Sequence, residues 1–82
     1  MMDKATLSYA VVTKRTFVDQ DPWHSTMHFG DDYGACLNYY VEQVSFESKR
    51  ASLIKGMATT ISLEDIGMGQ GTLHSLTIQN NK

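Results

Sequence analysis

The chain has a single cysteine, Cys36, and no long apolar run, and both shortages exclude classes of protein. One cysteine cannot form a disulfide within the chain, and a lone thiol fits a reducing compartment. No segment approaches the roughly 20 apolar residues that cross a bilayer, and the N-terminus lacks the apolar run and cleavage site of a secretory signal. We therefore expect a soluble, cytoplasmic protein in which Cys36 is a small buried apolar residue rather than a nucleophile.

The sequence also lacks the patterns that carry catalysis or cofactor binding. Its histidines, serines and carboxylates form no recognisable nucleophile constellation, and an adjacent pair such as Glu64–Asp65 diverges on regular structure and cannot share a proton. The glycines of segment 67–71 precede a strand-like segment, whereas a phosphate-binding loop requires a helix there. We predict no enzymatic activity and no cofactor.

What is present suits one small domain over residues 1–82. The 82 residues are 41% hydrophobic and 20% charged, enough for one thin core and too ordinary a composition for a disordered chain. The net charge of −2 argues against a general nucleic-acid binder, because neutralising phosphates normally needs an excess of lysine and arginine.

Alternation of apolar and polar residues predicts strands near both ends of the chain. Segment 5–18 alternates and is rich in β-branched residues, with a bulge or break expected near Lys14–Arg15, where the phase is less clean. Segments 57–63 and 72–79 alternate as well, and the glycine-rich loop 67–71 between them predicts an antiparallel hairpin.

The segment 19–30 fits two structures. Asp21–Pro22 suits the start of a short helix that Gly30 would end. The same segment also alternates as a half-buried strand would, with four residues on one side: Trp23, Ser25, Met27 and Phe29. We favour the strand, and hence a hairpin with segment 5–18, because serine, threonine and phenylalanine are mediocre helix formers.

The segment 31–50 carries the longest periodic pattern of the chain. Apolar residues recur at intervals of three and four, which places them on one side of a helix: Leu37, Tyr40, Val41, Val44 and Ala51. Aspartates open the segment and Lys49 and Arg50 close it, as a helix dipole favours. A strand over 35–46 is the competing structure, and Gly34 would delay the helix start to about Ala35.

Together these elements predict an α+β fold, a small antiparallel sheet of three or four strands with one amphipathic helix packed on one face. The uncovered face of the sheet would be wet or would meet a partner. On architecture alone, this open face is a candidate surface for a homodimer.

The charge pattern gives the main functional hypothesis. No lysine or arginine occurs between Arg15 and Lys49, whereas six carboxylates, Glu47 among them, and seven aromatic residues do. Carboxylates around exposed aromatics suit an interface with a basic partner protein, including one that normally binds nucleic acid. We predict a non-enzymatic protein-binding module, a regulator or inhibitor, with these partner-binding residues: Asp19, Asp21, Trp23, Asp31, Asp32, Tyr33 and Glu42.

Two alternatives remain open. The basic clusters 14–15 and 49–55 would form a phosphate-binding patch if they converge at one end of the sheet, with Tyr9 or Phe17 stacking on bases from an open sheet face. A metal site through His24 and His28 needs a helix, because on a strand the two residues are about 13 Å apart. We expect both histidines to lie at the surface without a metal.

Overall fold

The computed structural model describes residues 8–67 and 71–80, and this part of the chain forms four strands and one helix. The strands make one antiparallel sheet in the order β2-β1-β3-β4, and the helix packs on one of its faces. The predicted α+β class is confirmed. In chain order the elements are β1 (Tyr9–Thr16), β2 (Trp23–Gly30), α1 (Tyr33–Ala51), β3 (Ala58–Asp65) and β4 (Gly71–Gln79).

The first hairpin forms as predicted, with β2 a strand and not a short helix. The bulge predicted near Lys14–Arg15 is wrong, because both residues keep regular pairing with β2 and β3 and the β1–β2 register shifts instead between Tyr9 and Ala10. The apolar alternation fades at Arg15 for another reason. This side chain points under the helix, where it binds a buried carboxylate.

The helix begins at Tyr33, two residues before the predicted start at Ala35. Asp32 caps it, since its Oδ1 accepts a hydrogen bond of 3.0 Å from the Ala35 backbone N–H. Such a cap contributes about 1 kcal/mol, enough to offset the cost of Gly34 in the first turn. At the other end, the Asn80 side-chain amide donates a 2.7 Å hydrogen bond to the Ala51 carbonyl.

The core lies between α1 and the two central strands. Its buried cluster consists of Val11 from β1, Cys36 from α1, and Ile61 and Leu63 from β3. The predicted apolar stripe of the helix is wrong at Val41, which is 57% exposed. The helix positions that meet the sheet lie four, eight, eleven and fifteen residues after Cys36. The position eleven residues after Cys36 is Glu47, so the buried face of the helix contains this residue instead.

The second hairpin joins β3 to β4 as predicted, although residues 68–70 of its glycine-rich loop lie outside the described residues. The sheet face away from α1 is largely polar, with Lys14, Thr26, Thr60 and Thr77 on successive strands. The hydroxyls of Thr60 and Thr77 are 3.0 Å apart across this face. Within the described part of the chain, no helix is long and apolar enough to span a membrane.

Candidate functional site

The lysines and arginines of the described residues all lie at one end of the sheet. Tyr33 at the start of α1 packs on Tyr9, and Glu47 near its end binds Arg15, so the helix runs along β1 in the same direction. The last turn of the helix therefore lies over the end of β1. This basic end contains Lys14, Arg15, Lys49, Arg50 and Lys55.

Carboxylates gather at the opposite end of the sheet. Tyr9 pairs with Gly30 on one side and with Asp65 on the other, so the end of β2, the start of β1 and the end of β3 lie side by side. No described lysine or arginine lies there. We call this region the acidic end and define it by four residues: Asp31, Asp32, Glu64 and Asp65.

The predicted partner-binding residues divide between the two ends. Asp31, Asp32 and Tyr33 lie at the acidic end, whereas Asp19 and Asp21 lie in the exposed loop before β2, at the basic end. Trp23 begins β2 and is separated from Gly30 by about 23 Å of extended chain. The predicted residues therefore do not form one patch.

Glu42 lies at the middle of α1 and belongs to neither end of the sheet. It is exposed and lies one helical turn after Tyr39, whose ring packs on Phe29 of β2 with centroids 5.4 Å apart. Glu42 thus lies on the β2 side of the helix, between the two ends. Neither its carboxylate nor that of Asp31 makes a hydrogen bond or ion pair within the described part of the chain.

Two of the predicted residues have structural roles. The Asp32 carboxylate caps α1, as described above. The Tyr33 ring packs edge-on against Tyr9, with centroids 5.2 Å apart, and its hydroxyl lies 3.4 Å from Nε2 of His74 on β4. Tyr33 therefore sits over the sheet but still exposes more than a third of its surface. Ile66, just after β3, adds a half-exposed apolar side chain at the same end.

Glu47 and Arg15 belong to no functional surface because they bind each other. Glu47 is completely buried, and Arg15 donates to its carboxylate from Nε at 3.1 Å and from Nη2 at 2.6 Å. The Arg15 guanidinium also lies 4.1 Å from the centre of the Trp23 ring, a cation–π distance. Sequence reasoning assigned these three side chains to solvent-exposed surfaces. One feature of the sequence could have indicated the burial of Glu47: it lies at a position where the helical spacing predicts an apolar residue.

The basic groups share one end but not one surface. Lys14 points to the sheet face away from the helix, whereas Lys49 and Arg50 are on the helix itself. Arg50 also has a buried Nε atom without a hydrogen-bond partner among the described residues. Tyr9, one of the two predicted base-stacking residues, packs under the helix, so the expectation of an exposed Tyr9 ring on the open face is wrong. The other, Phe17, follows the end of β1 and is partly buried.

The remaining candidate ligands lie apart from one another. His24 and His28 are both exposed on β2, a strand, where four residues span about 13 Å. Among the described residues, no group of three or more histidine, cysteine, aspartate or glutamate side chains could hold a metal ion. Cys36 is buried in the core, and this burial raises the pKa of its thiol. The described part of the chain thus provides no activated thiolate there.

An open groove of about 780 Å³ lies beside the C-terminal end of α1 and the end of β4. Its lining includes Ser52, Leu53, Lys55 and Ile78. It contains none of the predicted partner-binding residues, and it lies away from the acidic end. Comparison of the chain with family models, with curated proteins and with solved structures found no match.

Proposed function

We propose that this protein is a non-enzymatic, cytoplasmic protein-binding module that uses its acidic end to bind a basic surface on another protein. The observation that supports this most directly is the separation of charge along the sheet. The described lysines and arginines lie at one end, and Asp31, Asp32 and Glu64 lie at the other. Among the described residues, a partner that approaches the acidic end meets carboxylates without interspersed cations.

The carboxylates of Asp31, at the acidic end, and of Glu42, at the middle of α1, are the groups that we expect to contact the partner. Neither has a partner to give up within the described structure, so binding costs them only solvation. Tyr33 and Ile66 add partly exposed apolar surface at the acidic end. Apolar anchors surrounded by charge are typical of interfaces in which charge guides the encounter and apolar contacts hold the complex.

The partner's surface would be a cationic groove, and this includes a groove that normally binds nucleic acid. Occupying such a groove would exclude its usual polyanionic ligand, which makes a regulator or inhibitor the concrete form of the proposal. Because exposed charges are screened over about 10 Å at 0.1 M salt, the affinity should fall as the salt concentration rises.

Charge reversal tests the proposal with a matched control. The tagged protein is used to capture partners from host extract, and the captured proteins are identified by mass spectrometry. Asp31→Lys with Glu42→Lys should abolish capture of the main partner. Asp19→Lys with Asp21→Lys changes the net charge equally at the basic end, so it should leave capture largely intact. Asp32 is left unchanged because its substitution would also remove the helix cap.

Binding of the purified partner is then measured by calorimetry at two salt concentrations. The Asp31→Lys, Glu42→Lys variant should bind more weakly and show a flatter salt dependence than the wild type. Equal binding by both double variants, or loss of binding only in the Asp19→Lys, Asp21→Lys variant, would exclude the acidic end as the contact surface. Circular dichroism must show that both variants remain folded.

Nucleic-acid binding through the basic end is the second candidate, since the described cations do converge there. Pairing of Arg15 with Glu47 and the nearby Asp19 and Asp21 weaken it. Lys49→Glu with Lys55→Glu should abolish a gel shift at low salt, whereas Lys14→Glu, on the far sheet face, should not. Absence of any shift by the wild type would exclude this function.

A further inference from the structure

The outer edge of β4 is uncovered in the described structure. The strand order β2-β1-β3-β4 makes β4 an edge strand, and every residue of Gly71–Gln79 except Ile78 is exposed. An edge strand presents a row of backbone N–H and C=O groups that can pair with a further strand. Soluble proteins usually protect such an edge with charged residues, proline or a bulge in its middle.

β4 has little of this protection. It contains no lysine, arginine, aspartate, glutamate or proline. Its pairing with β3 is irregular between Thr72 and His74, near the start of the strand, and regular from His74 to Gln79. The other edge strand, β2, differs in its surroundings. Asp21 and Pro22 precede β2, and Asp31 and Asp32 follow it. The two edges of one sheet therefore differ in how strongly they oppose strand addition.

We propose that two copies of this chain pair through β4, in antiparallel register, to form one continuous eight-stranded sheet. Ser75 is the central residue of Gly71–Gln79, and a two-fold axis through it pairs residues 74–76 with residues 76–74 of the copy. The irregularity of β4 between Thr72 and His74 lies outside this central pairing. The axis places Ser75 beside Ser75 of the second copy, and His74 beside its Leu76. No like charges meet anywhere along the paired strands.

The helix side of β4 supports the same arrangement. Leu76 pairs with the core residue Ile61 in β3, so it points towards the helix layer, yet it remains 42% exposed. In the paired sheet both helices lie on the same face, and Leu76 from each copy lies in the gap between them. Dimerisation would therefore bury this apolar surface.

Self-pairing through β2 is opposed by charge. An antiparallel β2–β2 pair would bring Asp21 of one copy towards Asp31 and Asp32 of the other, at both ends of the pair. Like charges across neighbouring strands are destabilising. The aspartates at the two ends of β2 thus oppose self-association through this edge and leave β4 as the edge open to a second copy.

Sedimentation equilibrium of the full chain tests the proposal. The wild type should show a reversible monomer–dimer equilibrium. Leu76→Lys should raise the dimer dissociation constant about tenfold or more, since about 1.4 kcal/mol corresponds to each tenfold change. Met27→Lys is the matched control, because Met27 also faces the helix layer from an edge strand, with 46% exposure. It should leave the equilibrium unchanged.

Cysteine cross-linking tests the register independently of variant stability. Residues opposite each other in an antiparallel pair have Cα atoms about 4.5 to 5.5 Å apart, within the range of about 4.4 to 6.8 Å that a disulfide requires. Ser75→Cys should therefore give a covalent dimer on mild oxidation. Thr26→Cys, at an exposed position of β2, should not, and Cys36 is buried in the core.

Three results would overturn the proposal: a wild type that is monomeric at all concentrations, a dimer that Met27→Lys weakens as much as Leu76→Lys does, and cross-linking through Thr26→Cys but not Ser75→Cys. The inference does not depend on the proposed function. The Asp31→Lys, Glu42→Lys variant should lose its partner and still dimerise, so a failure of one proposal can be distinguished from a failure of the other.

Discussion

Arg15 and Glu47 form a two-bond ion pair between the central strand β1 and the helix, with Glu47 completely buried. Thr59 lies 3.5 Å from the same carboxylate and also faces it from β3. The pair therefore connects three elements at the basic end of the sheet. Taking two charges out of water is costly, and their mutual attraction offsets that cost only while both partners are present.

Removing one partner should be far more damaging than removing both. Glu47→Ala leaves the Arg15 guanidinium unpaired beneath the helix, so we expect a loss of about 3 to 5 kcal/mol in the free energy of unfolding. Replacing both residues, as in Arg15→Met with Glu47→Leu, should recover most of this loss. Urea denaturation measures the free energy of unfolding of the single and the double variant. Glu42→Ala, an exposed carboxylate on the same helix, is the control and should change stability by about 0.5 kcal/mol or less.

The two adjacent aspartates before the helix should differ in their effect on stability. Asp32→Ala removes the acceptor for the Ala35 N–H, so we expect the free energy of unfolding to fall by about 1 kcal/mol. Asp32→Ser retains a capping oxygen and should retain most of the stability. Asp31→Ala should be nearly neutral in the same thermal melts. Equal losses for Asp31→Ala and Asp32→Ala would show that the cap contributes nothing.

The glycines at positions 30 and 56 allow steric and conformational costs to be separated. Both have positive φ, of 60° and 82°, a region that disfavours side chains. A Cβ at Gly30 would meet no atom within 4 Å, whereas at Gly56 it would lie 2.9 Å from Cγ2 of Val18.

Gly30→Ala should therefore lower the free energy of unfolding by about 1 kcal/mol, because alanine disfavours this backbone conformation. Gly56→Ala should lower it clearly more, because it adds a steric clash. Because Val18 is exposed, Val18→Ala should be nearly neutral by itself, and combined with Gly56→Ala it should reduce the loss towards that of Gly30→Ala. The full double-mutant cycle is measured by chemical denaturation. Additive effects in that cycle would show that the two side chains do not clash.

The Cys36 thiol should make stability depend on pH in the mildly alkaline range. Burial raises its pKa in the folded state, whereas the unfolded chain has the ordinary value of about 8.5. Above that pH the unfolded state releases a proton that the folded state keeps. The free energy of unfolding should therefore fall as the pH rises from about 8 towards the folded-state pKa.

Cys36→Ala removes the titrating group, so its stability should decline less steeply over the same pH interval. Measuring the slope of the unfolding free energy against pH for both proteins isolates the thiol from the other titrating groups. The same burial predicts slow alkylation of folded wild-type protein by iodoacetamide at neutral pH, and fast alkylation in urea. Parallel pH slopes for the two proteins would contradict the prediction.

The strands and the helix were predicted well because alternation and helical spacing depend on residues that are close together in the chain. The alternation of Trp23–Gly30 identified β2 correctly as a strand against a helix start at Asp21–Pro22. The strand is less buried than predicted, because only Phe29 is not exposed. The helix was predicted from its spacing and terminal charges. Its start was placed two residues late because the Asp32 cap was not counted against Gly34.

The candidate site was predicted only in part because it depends on register. The sequence places Asp31 and Asp32 in a span without lysine or arginine, but it does not show that Tyr9 pairs with both Gly30 and Asp65. That pairing brings Glu64 to the acidic end and leaves Asp19 and Asp21 at the other. Glu47 was assigned to the surface because its partner, Arg15, is distant in the chain.

The pairing of β1 with β3 also has a consequence for how the chain folds. Each hairpin can form locally, but Tyr9 pairs with Asp65, so the central ladder joins residues up to 56 positions apart in the chain. Closing such a long loop is costly in entropy and slows folding. We therefore expect the two hairpins and the helix to form before the sheet becomes continuous, and the β1–β3 ladder to set the folding rate.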